Sequence, residues 1–582
     1  MITKILCLFV LQIHIASLLA QTPLLIPDTL VGTSLELTLQ NGTFSFFSGQ
    51  NTTTMGVNGN ILGPTLIINK DDFVDIAVNN QLDETTTIHW HGMHVSASND
   101  GGPHTTIAPF EIWNPQFTVL DKAGTYWYHP HLHENTNKHV SLGIAGFIIV
   151  RDDDEAALDL PRTYGLDDFP LVIQTKDFDM NNQIVVPSNS DNTLMVNATI
   201  DPNLNVPAQV VRFRLLNGSS QRVFNIGLSG NRTFYQIASD GGLLNKPEIL
   251  TRLRMAPGER AEILVDFSSM VGQSVQLMSY ASELPNGTYG ATNPGMSPMM
   301  SLDGYYPNPL NGSNFDIINF AVIAPTMNPV HSIPETLVDV LSIPEITADI
   351  NRKLIFTPEL MGPNQLNGDF LINGLYFDKD VINFSIPLNN TEIWSISNQS
   401  AIAHPFHIHD IQFYVLDRNG APPPVTEQGR KDVILISPME TVRIITQFTD
   451  FANDSVPYML HCHMLTHEDK GMMLQFEVVE LTTGTRDGQM KSSVINVYPN
   501  PVYANNTTLS VSGFIGDNVH FALFNMLGQK IMEQKIVKTQ EVFTINLPEN
   551  LHGTYLLKIN GAEITHTKTI IINHPRNRAT RF

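Results

Sequence analysis

Residues Tyr458 to Gln475 read YMLHCHMLTHEDKGMMLQ. His461, Cys462 and His463 are consecutive, and His467 and Met472 follow shortly after. On an extended strand successive side chains point to opposite faces, so Cys462 faces one way and His461 and His463 face the other. A thiolate, imidazoles and a weak thioether are the ligand set of a blue-copper electron-transfer site. Cys462, His467 and Met472 supply three such ligands, and a further His must come from elsewhere. The two histidines on the opposite face call for a second metal centre with partners of its own.

Those partners are present. TIHWHGMHV carries His89 and His91, GTYWYHPHLH carries His129 and His131, and AHPFHIHDIQF carries His404, His407 and His409. With His461/His463 this makes four His-x-His pairs, each placing both imidazoles on one face of a strand. A single such pair is commonly a surface or packing feature. Four pairs, one of them bracketing a cysteine, are not. Eight convergent imidazoles exceed the needs of one ion, and three metals sharing them, with room for water or dioxygen, is the economical arrangement. Zinc has no redox chemistry to use the thiolate, and the Cys–His–Met loop favours copper.

From Leu24 to Thr482 short alternating runs are separated by Gly, Pro, Asn and Asp, which reads as an all-β chain. An internal repeat is visible in FVDIAVNNQ, VVRFRLLNG and TEIWSISNQ, aligned on Asn79, Asn217 and Asn398. Its spacing suits three related β-sandwich domains, expected at 21–155, 156–325 and 326–481. Histidines follow the first and third repeats. SQRVFNIGL after the second has none, and neither does ERAEILVDF, taken as the later strand of that domain. The middle domain is expected to be a spacer without metal ligands.

Bulk properties narrow the setting. At 582 residues the chain needs several cores. A net charge of −23 argues against nucleic acid and anionic membranes as partners. Residues 1–20 carry Lys4, an apolar run from Ile5 to Leu19, and Ala20, and read as a secretory signal peptide. No later apolar run reaches the ~20 residues that span a bilayer, so an exported protein is expected. Of the two cysteines, Cys7 lies in the signal segment, leaving Cys462 without a disulfide partner and suited to metal ligation. Residues 482–494, TTGTRDGQMKSSV, read as a linker, and 495–574 as a fresh set of strands.

HWHG, YHPH, HPFHIH and HCHMLTHEDKGMM resemble, in order, the four copper motifs of the multicopper oxidases. The resemblance runs over about residues 24–481, with RFRLLNGSSQRVFNI and IASDGGLL adding to it. It is similar to the bacterial three-domain laccases, copper-efflux oxidases and bilirubin oxidases. The resemblance implies three cupredoxin-like Greek-key sandwiches and four copper ions per chain. The type 1 ligands would be His404, Cys462, His467 and Met472, and the type 2 ligands His89 and His407. The type 3 pair would take His91, His129, His131, His409, His461 and His463. Cys462 would carry electrons, Asp100 (in NDGGPH) and Glu468 would help deliver protons, and dioxygen would be reduced to water. His94, His104, His133 and His139 match no ligand position.

The expected electron donor is phenolic, with Cu(I), Fe(II) or Mn(II) as the alternative. The long Met-rich insertion of copper-efflux oxidases is absent, and only MSPMM at Met296–Met300 offers clustered thioethers. A reading of another class is a non-enzymatic copper-binding envelope scaffold. At the C-terminus, VYPNP, FNMLGQKI, LHGTYLLKI and THTKTIII resemble the type A sorting domain of the Bacteroidetes type IX secretion system. That implies a small β-sandwich, the secretion machinery as partner, and a secreted or surface-attached product. The family usually ends near its last strand, whereas here HPRNRATRF follows.

Overall fold

The structure is a computed structural model. It describes residues 22–480, except 189, 296–301, 303–304, 306–307 and 361–365, and the segments 496–498, 502–503, 508–512, 518–525, 529–537, 542–548, 551, 553–560 and 565–573. The chain divides into two compact units, Met1–Leu481 and Thr482–Phe582. The signal segment and the 482–494 linker lie outside the described residues.

Three β-sandwiches fill the first unit, and the repeat seen in the sequence is a repeat of strand pairing. Phe73–Asn80, Val210–Asn217 and Thr391–Asn398 each pair in parallel with the strand that opens their sheet, Ser34–Phe47, Asp168–Lys176 and Ile350–Pro358. In Phe73–Asn80 the alternation is plain: Val74, Ile76 and Val78 are buried while Phe73, Asp75 and Ala77 are not. The facing sheets repeat a second parallel pairing, of Thr65–Asn69 with Gly146–Arg151, Pro202–Pro207 with Asn314–Ile323, and Phe384–Pro387 with Met473–Val479. Each pair of sheets closes on one apolar core.

The asparagine that ends each repeated strand is a clamp. Asn217 Nδ2 donates to the carbonyls of Arg222 (2.7 Å) and Met255 (2.9 Å). Asn398 Nδ2 donates to Ile402 (2.8 Å) and Ile436 (3.0 Å). In the first sandwich that position is Asn80, which donates to Glu84, Ile107 and Ala108, while its Oδ1 accepts from Leu82 N–H. The sequence alignment on Asn79 is therefore one residue early. Asn79 is only half-buried and accepts from the Gln81 side chain, and the Asn-Asn doublet hid the register. Asn80→Ala strands buried polar groups and is expected to cost about 2–5 kcal/mol, read as a fall in the denaturation midpoint.

Two further corrections concern the middle sandwich. Arg260–Asp266, the ERAEILVDF strand, pairs with Val210–Asn217, as Thr441–Gln447 pairs with Thr391–Asn398 in the third sandwich. The counterpart of Gly124–His129 and Tyr458–Cys462 is instead Ser274–Tyr280, beside Phe224–Leu228. It too lacks histidine. The limits also shift. The strand Thr22–Pro23 pairs in parallel with Pro202 and Asn203, and Leu24 sits in the middle core. Val330, Ile333 and Leu337 also pack on the middle sandwich, so the described stretches just after the expected starts at 21 and 326 pack with it.

Val210–Asn217 is buried along its whole length, including Arg212 and Arg214. Their charges are paired, as burial requires. Arg212 Nε donates to Glu262 (2.9 Å), and Arg214 donates to Asp168 (2.7 Å) and to Thr125 Oγ1 of the first sandwich (3.0 Å).

The second unit is a smaller sandwich. A three-stranded sheet (Asn496–Tyr498, Thr508–Ser512, Val542–Asn546) and a five-stranded one share a core of Leu509, Val511, Phe521, Leu523, Leu557, Ile559 and Ile570. Among the described residues no helix is long and apolar enough to cross a membrane.

Candidate metal centre

Four short strands bring the histidines together. His89–His91 pairs antiparallel with Gly124–His129, with His89 opposite His129. His404–Ile408 pairs antiparallel with Tyr458–Cys462, with His407 opposite His461. Alternation then divides each third-sandwich strand between two centres. Phe406, Ile408 and Cys462 enter the sandwich core with Met472, and His404 lies on their side of the strand. His407, His409, His461 and His463 face the first sandwich.

On the core side, Cys462 Sγ lies 3.5 Å from His404 Nδ1 and 3.6 Å from His467 Nδ1. All three side chains and Met472 are fully buried. The loop closes on itself through Cys462 N–H donating to Met472 O and Met472 N–H donating to His467 O. Gly471, at φ +87° in the left-handed region that favours glycine, permits that turn. Each imidazole is held by its outer nitrogen. His467 Nε2 donates to the Leu366 carbonyl (2.8 Å), and His404 Nε2 meets Ser400 Oγ (2.8 Å). This turns both Nδ1 atoms toward sulfur. Phe370 packs 4.6 Å from both rings.

On the other side eight imidazoles converge in a fully enclosed space. His131, His409 and His461 form one group, with Nε2–Nε2 separations of 3.1, 3.2 and 3.4 Å. His91 Nδ1 and His129 Nε2 are 3.3 Å apart, with the His463 ring 4.9 and 5.5 Å from theirs. Between these groups stand His89 and His407. Their Nδ1 atoms face the Asp100 carbonyl (3.0 Å) and the Asp432 carbonyl (2.8 Å), and their buried Nε2 atoms have no hydrogen-bond partner.

A multicopper oxidase family profile matches residues 38–155 and another matches 349–481. The multicopper oxidase mco of Staphylococcus haemolyticus is 35% identical over 452 residues, which cover 76% of this chain and 88% of the relative. The chain belongs to the multicopper oxidase family. A solved laccase-like multi-copper oxidase from the lignin-degrading bacterium Ochrobactrum sp. has 34% identity and a TM-score of 0.70, over 78% of this chain and all of that one. The cell division protein FtsP of Sodalis glossinidius is also similar, at 30% identity over 80% of this chain and 94% of its own length. Residues 496–573 match the secretion system C-terminal sorting domain, which indicates secretion or a place on the cell surface.

Membership implies copper, and the donor set fits it. Burial first, and then the neighbouring imidazoles, hold His91, His129, His131, His407 and His461 well below the ordinary histidine range. Burial likewise takes His467 and His409 to about 4. These rings are neutral near pH 7 and have lone pairs to give. Orphaned Nε2 atoms on His89 and His407, and both unpartnered nitrogens of His463, are costly in a buried cavity unless something binds them. One soft sulfur with two imidazoles suits copper on the core side.

Both expected carboxylates lie against the cluster. Asp100 Oδ2 accepts from His409 Nδ1 (2.7 Å), and its Oδ1 is 3.2 Å from His89 Nδ1. Burial raises its pKa, but His89 and His409 outweigh that and hold it well below the usual carboxylate range. Glu468 sits between the outer nitrogens of His131 (3.5 Å) and His461 (3.3 Å). Burial, with Asp469 nearby, pushes its pKa well above the usual carboxylate range, which favours the protonated form.

The four other histidines near the motifs stay outside the cluster. His94 bridges Asp410 O (2.9 Å) and Asp450 (3.2 Å), His104 meets Gln475 (2.8 Å), and His139 meets Thr86 (3.1 Å). His133 packs on Phe377. Met296–Met300 lie outside the described residues. Sequence reasoning missed Asp432, whose Oδ1 accepts from His91 Nε2 at 3.1 Å. The signal was available in KDVILI, where a carboxylate opens an apolar strand.

Proposed function

We propose that the chain is a laccase-like oxidase holding four copper ions, which couples one-electron oxidation of a donor to four-electron reduction of dioxygen to water. His404, Cys462, His467 and Met472 would hold the type 1 ion, and His89 and His407 the type 2 ion. His91, His129 and His463 would hold one type 3 ion, and His131, His409 and His461 the other. The observation that carries this reading is the pair of orphaned Nε2 atoms set between the His131–His409–His461 group and the His91–His129 pair, with the His463 ring beside that pair.

Copper, when bound, supplies the one-electron redox steps. The chain supplies connection, exclusion and protons. Cys462 is joined through the backbone to His461 and His463, so a single strand end links the two centres. The enclosing sandwiches keep bulk water from the cluster. Asp100 accepts a hydrogen bond from His409 Nδ1 and fixes that ring, and Glu468, whose protonated form burial favours, would deliver a proton from beside the Nδ1 atoms of His131 and His461.

A phenolic donor is the first choice, supported by the Ochrobactrum relative, whose reported activity is toward lignin model compounds and lignosulfonate. Oxidation of Cu(I), Fe(II) or Mn(II) is favoured by one feature: His467 Nε2 is capped by the Leu366 carbonyl and the ring is not exposed, which leaves no imidazole edge for an organic substrate to touch. A third reading is a non-enzymatic copper-binding envelope scaffold, and the likeness to a protein named for cell division rather than for oxidation supports it. Oxygen uptake by copper-loaded protein, with a simple phenol and with cuprous ion as separate donors, decides among them. Faster uptake with the phenol supports the laccase, faster uptake with cuprous ion the metallo-oxidase, and no uptake with either the scaffold.

In this reading residues 1–20 form a signal peptide, the three sandwiches are three cupredoxin-like domains, and 482–494 link them to the sorting domain. The product leaves through the periplasm of a Gram-negative bacterium, of the Bacteroidetes type, with the secretion machinery as its partner.

A further inference from the structure

Six of the eight cluster rings, those of His89, His129, His131, His407, His409 and His461, turn Nε2 inward. His91 does the reverse. Its Nδ1 faces His129 Nε2, and its Nε2 faces outward to Asp432 Oδ1 at 3.1 Å. A carboxylate only accepts, so Nε2 carries the proton and the Nδ1 lone pair points into the cluster. Residue 432 seats a second ring as well: its carbonyl accepts from His407 Nδ1 at 2.8 Å. The His91 and His407 rings stack on one another at 3.8 Å with their planes 10° apart. One residue therefore sets the inward nitrogens of two stacked histidines.

Asp432 does not hold itself in place. Arg260, from the middle sandwich, grips both carboxylate oxygens, with Nη1 to Oδ1 and Nη2 to Oδ2 each at 2.6 Å. The guanidinium is fixed in turn by the carbonyls of Thr125 (3.2 Å), Gly258 (3.1 Å) and Asp240 (3.0 Å). Both side chains are fully buried. The fork passes over Gly92 of HWHG, where a Cβ would stand 2.4 Å from Arg260 Nη2 and 2.5 Å from Asp432 Oδ2.

We infer that Arg260 is a positioning residue for the histidine cluster, acting through Asp432 to fix which nitrogen of His91 is presented to metal. The inference rests on the cluster holding copper, and it gives the middle sandwich a part in the site beyond that of a spacer. A bidentate guanidinium fits this task because it locks both oxygens in one plane, which a lysine ammonium cannot do.

The test compares copper-loaded wild type with Asp432→Asn and Arg260→Lys. Arg214→Lys, in the buried ion cluster against Asp168, serves as a control for general loosening. Copper per chain, blue absorption, electron paramagnetic resonance and oxygen uptake are read on each. Asp432→Asn is expected to keep the blue absorption, to gain resonance intensity from a pair no longer coupled, and to lose oxygen uptake about 10- to 100-fold. Arg260→Lys should give the same resonance change with a smaller loss of uptake, and it keeps the test alive if Asp432→Asn does not fold. The control should lower the thermal midpoint and leave the resonance as in wild type. Wild-type resonance and uptake in both site variants, or the same resonance change in the control, overturns the inference. Wild-type protein that binds copper only at the blue centre defeats the underlying copper reading, an outcome visible before any variant is compared.

Discussion

Cys462→Ser is expected to abolish the blue absorption and to drop oxygen uptake to background with every donor, while the histidine cluster keeps its copper. The colour of such a site comes from thiolate-to-copper charge transfer, and Cys462 has two imidazole nitrogens turned on its sulfur, at 3.5 and 3.6 Å. A hydroxyl is a harder ligand, shorter in reach, and gives no such transition. The fold should survive, because serine differs from cysteine by one atom and His404 and His467 keep their outer hydrogen bonds to Ser400 and Leu366. The cluster should survive because His461 and His463 leave the strand on the opposite face. Copper analysis should show loss of the blue-site ion only. Persisting blue absorption in the variant would remove Cys462 from the ligand set.

Asp100→Asn should separate dioxygen reduction from electron entry. The carboxylate accepts from His409 Nδ1 at 2.7 Å and lies 3.2 Å from His89 Nδ1, so it touches rings of two sub-sites at once. Asparagine keeps the size and one acceptor but can neither carry the charge nor take up a proton. A fall in steady-state oxygen uptake of about 10- to 100-fold is expected, with copper content unchanged and anaerobic reduction of the blue centre by donor as fast as in wild type. Unchanged turnover would take Asp100 out of the mechanism, and lost copper would make it a structural support only.

The sequence was most informative where chemistry repeats at short range. Alternation along HCH and HPFHIH is a property of any strand, so the division of Cys462 from His461 and His463 was legible before any coordinates, and the structure gathers eight histidines on one side and His404, Cys462 and His467 on the other. Legibility ended where contacts are distant in sequence. Asp432 meets Arg260 across the second and third sandwiches, and no spacing rule joins an RKD segment to a GER segment. The Leu366 carbonyl that caps His467 is a backbone atom with no residue signature. The Asn79 misalignment has a local cause: in an Asn-Asn doublet only the burial of Asn80, and the carbonyls it collects, tells the clamp from its neighbour. The ERAEILVDF strand was misassigned because a histidine-free strand gives no chemical marker, so only its pairing with Val210–Asn217 fixes its place.

The most direct test of the central claim is the copper content of fully loaded protein, measured together with its electron paramagnetic resonance. The account predicts four copper ions per chain, with only the type 1 and type 2 ions visible and the paired ions silent. One copper per chain, or four ions that are all visible, would contradict a blue centre joined through Cys462 to a coupled three-copper cluster.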